Sequence, residues 1–131
     1  MFRKLIRPLY YTLKLSLRYR DPRFMTSCVI SRNLPKSTKI PHPVGIVIGK
    51  ENGVKIGENC TIMQNVTIGI KKIGDVSGPT IGNNVFIGSN AVIVGDIKVE
   101  DNVIIGAGTL VNFDVPKNSK VVNPRCRVKM I

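Results

Sequence analysis

From Ile56 to Val115 the chain repeats itself every six residues. The steps read IGENCT, IMQNVT and, after an interruption, IGNNVF, IGSNAV, IVGDIK, VEDNVI, IGAGTL and VNFDVP. Each step opens on Ile or Val: Ile56, Ile62, Ile81, Ile87, Ile93, Val99, Ile105 and Val111. The fifth position is small or β-branched throughout, from Cys60 and Val66 to Thr109 and Val115. So short a fixed period has room for one short strand and one tight turn per step, which is a β-solenoid. Aliphatics point inward and stack on the coil below, so a coil is stable only with neighbours. The flat outer faces of such a solenoid are expected to be covered by self-association.

At 131 residues the chain is one domain. Its formal charge of +12 is unevenly placed. Residues 1–40 hold ten of the Lys and Arg residues and one acid, Asp21; the remaining basic residues face seven acids. Aromatic residues cluster near the N-terminus, with no stacking surface and no nucleic-acid motif, so the charge does not point to DNA or RNA. Cys28, Cys60 and Cys126 are far apart and odd in number, which fits buried thiols in a reducing compartment. Cys60 takes an inward repeat position and reads as core.

On a helical wheel Phe2, Leu5, Ile6, Leu9, Tyr10, Leu13 and Leu17 share one face, with Arg3, Lys4, Arg7, Lys14 and Arg18 opposite. Residues 1–21 are therefore expected to form a basic amphipathic helix. Such a helix lies on an anionic membrane surface or packs on the solenoid or a second subunit. No apolar run reaches the ~20 residues of a membrane span, and no signal peptide is expected. The location expected is the cytoplasm, with peripheral contact at the inner membrane face. Residues 22–43, rich in proline, form a lead-in. The solenoid is expected over 44–116, with a loop at 69–80, and a basic tail over 117–131.

Steps of the form Ile-Gly-x-x-Val/Ala-x resemble the hexapeptide-repeat acyltransferases, whose fold is a left-handed parallel β-helix. The hand is implied by that resemblance. The segment His42-Pro43-Val44-Gly45-Ile46-Val47-Ile48-Gly49, followed by Gln64-Asn65-Val66-Thr67-Ile68-Gly69, closely resembles serine acetyltransferases, where the matching segments read HATGIVIG and LQNVTLGG. Residues 80–89, 105–108 and 124–128 are similar to galactoside and maltose acetyltransferases as well. Over residues 40–129 the likeness implies acetyl-CoA-dependent transfer.

His42 is the sole histidine, stiffened between Pro41 and Pro43. The resemblance implies that it is the catalytic base. An imidazole with a pKa near about 6.5 can take the proton of a hydroxyl as it attacks a thioester carbonyl. Asn65 is a candidate donor to the acceptor or the developing oxyanion, and equally a turn residue of the repeat. Family likeness would run the pantetheine arm of acetyl-CoA past Gly88-Ser89 and Gly106-Ala107-Gly108. Small residues there would allow close approach. Arg125, Arg127 and Lys129 would then face its phosphates. The zinc carbonic anhydrases that share the helix need three histidines, so no metal is expected.

Two departures bear on the acceptor. An aspartate precedes the catalytic histidine in serine acetyltransferases, and Pro41 stands there. Their second active-site histidine aligns with Gly78. Their helical N-terminal domain is also lacking. The pattern resembles the small serine acetyltransferase-like proteins that O-acetylate sugars of surface polysaccharides. The expectation is a homotrimer transferring acetyl to a sugar hydroxyl, with loop 70–79 shaping the acceptor pocket. Serine O-acetylation and a non-catalytic scaffold are the alternatives.

Overall fold

A computed structural model of the chain describes residues 27–30, 34–49 and 53–124. The expected helix over 1–21 lies outside them, as do Arg125, Arg127 and Lys129. Strands two or three residues long form three parallel sheets. Face A holds β1 (Val47–Ile48), β4 (Thr67–Gly69), β7 (Val92–Val94) and β10 (Leu110–Val111). Face B holds β3 (Thr61–Ile62), β6 (Phe86–Ile87), β9 (Ile104–Ile105) and β11 (Lys120–Val121). Face C holds β2 (Lys55–Ile56), β5 (Thr80–Ile81) and β8 (Lys98–Val99). The chain visits B, A and C in turn, so each coil is three strands around a triangular core. No helix among the described residues is long and apolar enough to cross a membrane.

Register follows from the six-residue period. Ile48 pairs with Ile68, Ile68 with Ile93, and Ile93 with Val111, so like sits on like down face A. Ile62, Ile87, Ile105 and Val121 make the same column on face B. Between the columns, Cys60, Val66, Val85, Ala91 and Val103 fill the corners, each 1% exposed or less. Each fully buried aliphatic contributes about 1.5–3 kcal/mol. Cys60 is core as read: its Sγ donates to the Gly82 carbonyl at 3.2 Å, and burial pushes its thiol up from the ordinary range.

Corners are turned by residues in the left-handed region. Asn59, Asn84, Asn102 and Asn118 turn the corner between faces C and B at φ 57, 55, 57 and 59. Asn84 donates to Asn102 Oδ1 at 3.2 Å and Asn102 to Asn118 Oδ1 at 3.0 Å, a ladder that ties successive coils. Asn tolerates this conformation better than other residues with a Cβ.

Parallel pairing runs past both ends of the expected 44–116 span. Upstream, Val29 bridges to Val47 and Lys39 to Thr61, with Cys28, Ile30 and Leu34 buried. The proline-rich lead-in is thus partly an incomplete first coil. Downstream, Pro116 to Ser119 looks like an exit from the coil, yet it is an ordinary corner with Asn118 in the usual conformation. Val121 falls one period after Val115, and β11 pairs with β9. The described residues carry eight lysines and six carboxylates, so most of the +12 charge lies outside them.

Two side-chain predictions test this stacking. Thr109 sits at an inward corner, 2% exposed, and its hydroxyl has no partner. Thr109→Val should raise stability by about 1 kcal/mol, read as a higher melting temperature. Gly88 is buried, and a Cβ there would lie 2.6 Å from the Ala107 amide nitrogen of the next coil. Gly88→Ala should cost about 1–3 kcal/mol without any acetyl-CoA present. Unchanged melting in that variant would assign the glycine to ligand approach instead.

Candidate active site

The sequence candidates converge on the corner between faces B and A. In successive coils this corner is made by Val44-Gly45, Gln64-Asn65, Ser89-Asn90 and Ala107-Gly108. Backbone bonds join them into one edge. Asn65 N–H donates to Val44 O at 2.9 Å, Asn90 N–H to Gln64 O at 3.0 Å, and Gly108 N–H to Ser89 O at 2.8 Å. Asn123 Nδ2 then donates to the Gly108 carbonyl. Gly45, Asn65, Asn90 and Gly108 hold φ of 64, 57, 60 and 65, so the edge has one left-handed residue per coil.

His42 precedes this edge at its N-terminal end. Its side chain is exposed, and its carbonyl accepts from Val44 N–H at 2.9 Å, which closes a tight bend. Asn65 is exposed one coil on. Ala107 and Gly108 are exposed and Ser89 is half-buried, so a ligand running along the edge meets them. The two other glycines have packing reasons to be small. Gly88 abuts the Ala107 backbone, and a Cβ at Gly106 would come within 3.2 Å of Val121 O. Ser89, Ala107 and Gly108 are therefore open along the edge, whereas Gly88 and Gly106 serve the coil beneath.

Loop 70–79 stands elsewhere on the chain. It joins β4 on face A to β5 on face C, so the whole of β4 separates it from Asn65. Within the loop, Lys72 N–H donates to Asp75 Oδ2 at 2.8 Å and Asp75 N–H to Lys72 O at 3.1 Å, around Gly74 at φ 96. Ile73 and Val76 are almost fully exposed. Between the loop and the Gly95-Asp96 turn lies an open cavity of about 420 Å³, lined by Lys71, Asp75, Val76, Ser77 and Asp96. A single chain brings His42, Asn65 and the Ser89–Gly108 edge together, and leaves loop 70–79 apart. Glycine at 45, where the next two coils carry Asn, is the residue at this edge that sequence patterning passed over.

The outer faces differ in character. Face A presents Val29, Val47 and Leu110, at 48%, 42% and 55% exposure, beside Thr67 and Val92. Face B presents Phe86 and Ile104 at 41% and 45%. Face C presents Lys55, Thr80 and Lys98, with Lys98 paired to Glu100 at 3.5 Å. The two apolar faces flank the corner that carries Asn65 and Ala107.

Comparison with known proteins agrees with this fold. Residues 78–112 match a family model described as bacterial transferase hexapeptide (six repeats), and residues 53–75 one described as hexapeptide repeat of succinyl-transferase. A protein named as a colanic acid biosynthesis acetyltransferase, WcaB, of Escherichia coli K12 is 36% identical over 115 residues, spanning 83% of this chain and 70% of that one. A serine acetyltransferase of Synechococcus elongatus is 44% identical over 92 residues, but the match spans 36% of its length. Among solved structures, the Neisseria gonorrhoeae serine acetyltransferase in complex with serine superposes with a TM-score of 0.61 at 36% identity, covering 70% of this chain and 37% of that one. Isoform 3 from Entamoeba histolytica, in complex with cysteine, gives 0.62 at 31% identity, covering 72% and 36%. With 36% of the aligned residues shared with the WcaB relative over 70% of that protein's length, the chain belongs to the hexapeptide-repeat acetyltransferases, and its solenoid is their left-handed parallel β-helix.

Proposed function

We propose that the chain transfers acetyl from acetyl-CoA to a hydroxyl of a sugar in a surface-polysaccharide precursor, with His42 as general base. The observation that carries the transfer chemistry is the single edge on which His42, Asn65, Ser89, Ala107 and Gly108 lie. The imidazole of His42 takes the acceptor's hydroxyl proton. The oxygen forms its bond to the thioester carbonyl carbon, the carbon–sulfur bond breaks, and the departing CoA sulfur receives the proton. One base suffices because the acceptor attacks directly and no acyl-enzyme forms. Asn65 donates to the oxygen that gains charge on the way.

Support for a sugar acceptor comes from what the site lacks. Pro41 and the buried Gly78 have no polar side chain with which to hold an amino acid's ammonium and carboxylate. The WcaB relative, whose name places it in colanic acid biosynthesis, matches over most of both chains. Serine is the second reading, favoured by the 44% identity to the Synechococcus enzyme. Turnover with serine should fall well below turnover with the best of a panel of sugars, measured as thiol release from acetyl-CoA. A wide margin for serine would reverse the assignment. His42→Ala should lower transfer by at least ~10²-fold while leaving assembly intact. Turnover near the wild-type rate would remove His42 from the chemistry.

The outer faces support a homotrimer. Apolar faces A and B flank the edge, while face C is polar. A partner copy would cover the former and bring its own loop 70–79 towards the edge, completing the acceptor pocket that one chain leaves open. Leu110→Glu and Ile104→Glu should each convert the trimer to an inactive monomer, read by light scattering with the thiol assay. Lys98→Glu on face C should change neither. A Leu110→Glu monomer with full activity would contradict an interfacial site.

A further inference from the structure

The edge that carries His42 uses one left-handed residue per coil, and these residues are not equivalent. Gly45 and Gly108 hold nearly the same φ, at 64 and 65, so both are exempt from the strain a Cβ brings there. Their surroundings differ. A Cβ at Gly108 would meet nothing closer than Asn123 Nδ2 at 3.8 Å. A Cβ at Gly45 would collide with Asn65 Oδ1 and lie 3.3 Å from Asn65 Cγ. Gly45 is thus glycine for two reasons, its own backbone and the side chain of Asn65.

The contact has a direction. Oδ1 is the atom of Asn65 nearest the empty Cβ position, Cγ follows, and the Cα comes third at 3.7 Å. Nδ2 lies farther off than these. The carboxamide is therefore seated with its oxygen over Gly45 and its nitrogen away from it. Asn65 is also tied to the same bend through its backbone, since its N–H donates to Val44 O at 2.9 Å. That bend begins at His42, whose carbonyl accepts from Val44 N–H. One short turn carries the imidazole and the seat of the carboxamide.

We infer that Gly45 is a positioning residue of the transfer site: its missing side chain seats the Asn65 carboxamide oxygen and so presents Nδ2 as the hydrogen-bond donor beside His42. This rests on the reading of the edge as an acetyl-transfer site. A donor held in place before reaction stabilises charge on the reacting oxygen without having to reorganise.

The test uses four full-length chains: wild type, Gly45→Ala, Asn65→Gly and the double variant. Glycine at 65 keeps the left-handed turn and removes only the carboxamide, whereas alanine would strain the turn as well. Melting temperature is read on all four without ligand. Thiol release from acetyl-CoA is read with serine and with N-acetylglucosamine as acceptors. Gly45→Ala should melt about 5 °C or more below wild type, and over half of that loss should vanish when Asn65 is glycine. Asn65→Gly should melt near wild type, lose about 10²-fold in kcat and keep its KM for acetyl-CoA within roughly 3-fold. An equal melting loss for Gly45→Ala in both backgrounds would reduce Gly45 to a residue of backbone strain alone. Wild-type kcat in Asn65→Gly would make Asn65 a turn residue and overturn the donor. The melting comparison decides the Gly45–Asn65 seat even for a chain in which His42→Ala stays active, so the seat and the base fail separately.

Discussion

Everything in this chain depends on coils stacking at one register. Parallel ladders only two or three residues long cannot hold a strand by themselves. Each is fixed because Ile or Val below it meets Ile or Val above it, as Ile48, Ile68, Ile93 and Val111 do. A slip of one residue would turn those side chains outward and put Thr67 or Val92 in the core. The turns are held to the same spacing. Gly88 has no room for a Cβ against the Ala107 backbone, and Gly82 has none against Asp101. Coil spacing thus dictates side-chain size at the corners as firmly as hydrophobicity dictates the columns.

Much of this was legible in the sequence because the period is strict. Inward positions and the stacked short strands follow from counting in sixes, whereas His42 and the Gly88–Gly108 edge were implied by the resemblance to known acetyltransferases. What was hidden has physical causes. Val29 and Lys39 pair with the coil, but the residues between them do not follow the period, so no repeat marks them. Lys120 and Val121 stack on Ile104 and Ile105, sixteen residues back where the period asks for eighteen, behind a Pro-Lys-Asn corner that reads like an exit. The reason for Gly88 lies in Ala107 of the next coil, nineteen residues away, and sequence alone cannot separate room for a neighbour from room for a ligand. The roles of Asn59, Asn84, Asn90, Asn102 and Asn118 are those of corners, and Asn65 shares their conformation. Its place above Gly45 sets it apart from them.

The polar and apolar faces give the solenoid a sense of inside and outside beyond a single chain. A triangular coil hides its inward residues and has no second layer to cover its outward ones. Face C solves this with lysines and threonine. Faces A and B leave Val47, Leu110, Phe86 and Ile104 more than two-fifths exposed on either side of the edge. An edge flanked this way has one wall. A trimer would add the second wall and exclude water from the thioester, which strengthens each hydrogen bond made there.

The same rigidity explains where acceptor choice can reside. A substitution at a coil corner meets a neighbour at fixed distance, as the crowding around Gly57, Gly82 and Gly88 makes plain. The edge is therefore bound to the architecture and changes little without unstacking the coil. Residues free of the period are not so bound. Pro41 lies in the bend before the coil, and loop 70–79 leaves it between β4 and β5, with Ile73 and Val76 projecting into solvent. Pro41, Ile73 and Val76 are exposed, so each can change its side chain at small cost in stability. On the proposed reading, such a fold would keep its donor site by packing and vary its acceptor through its interruptions.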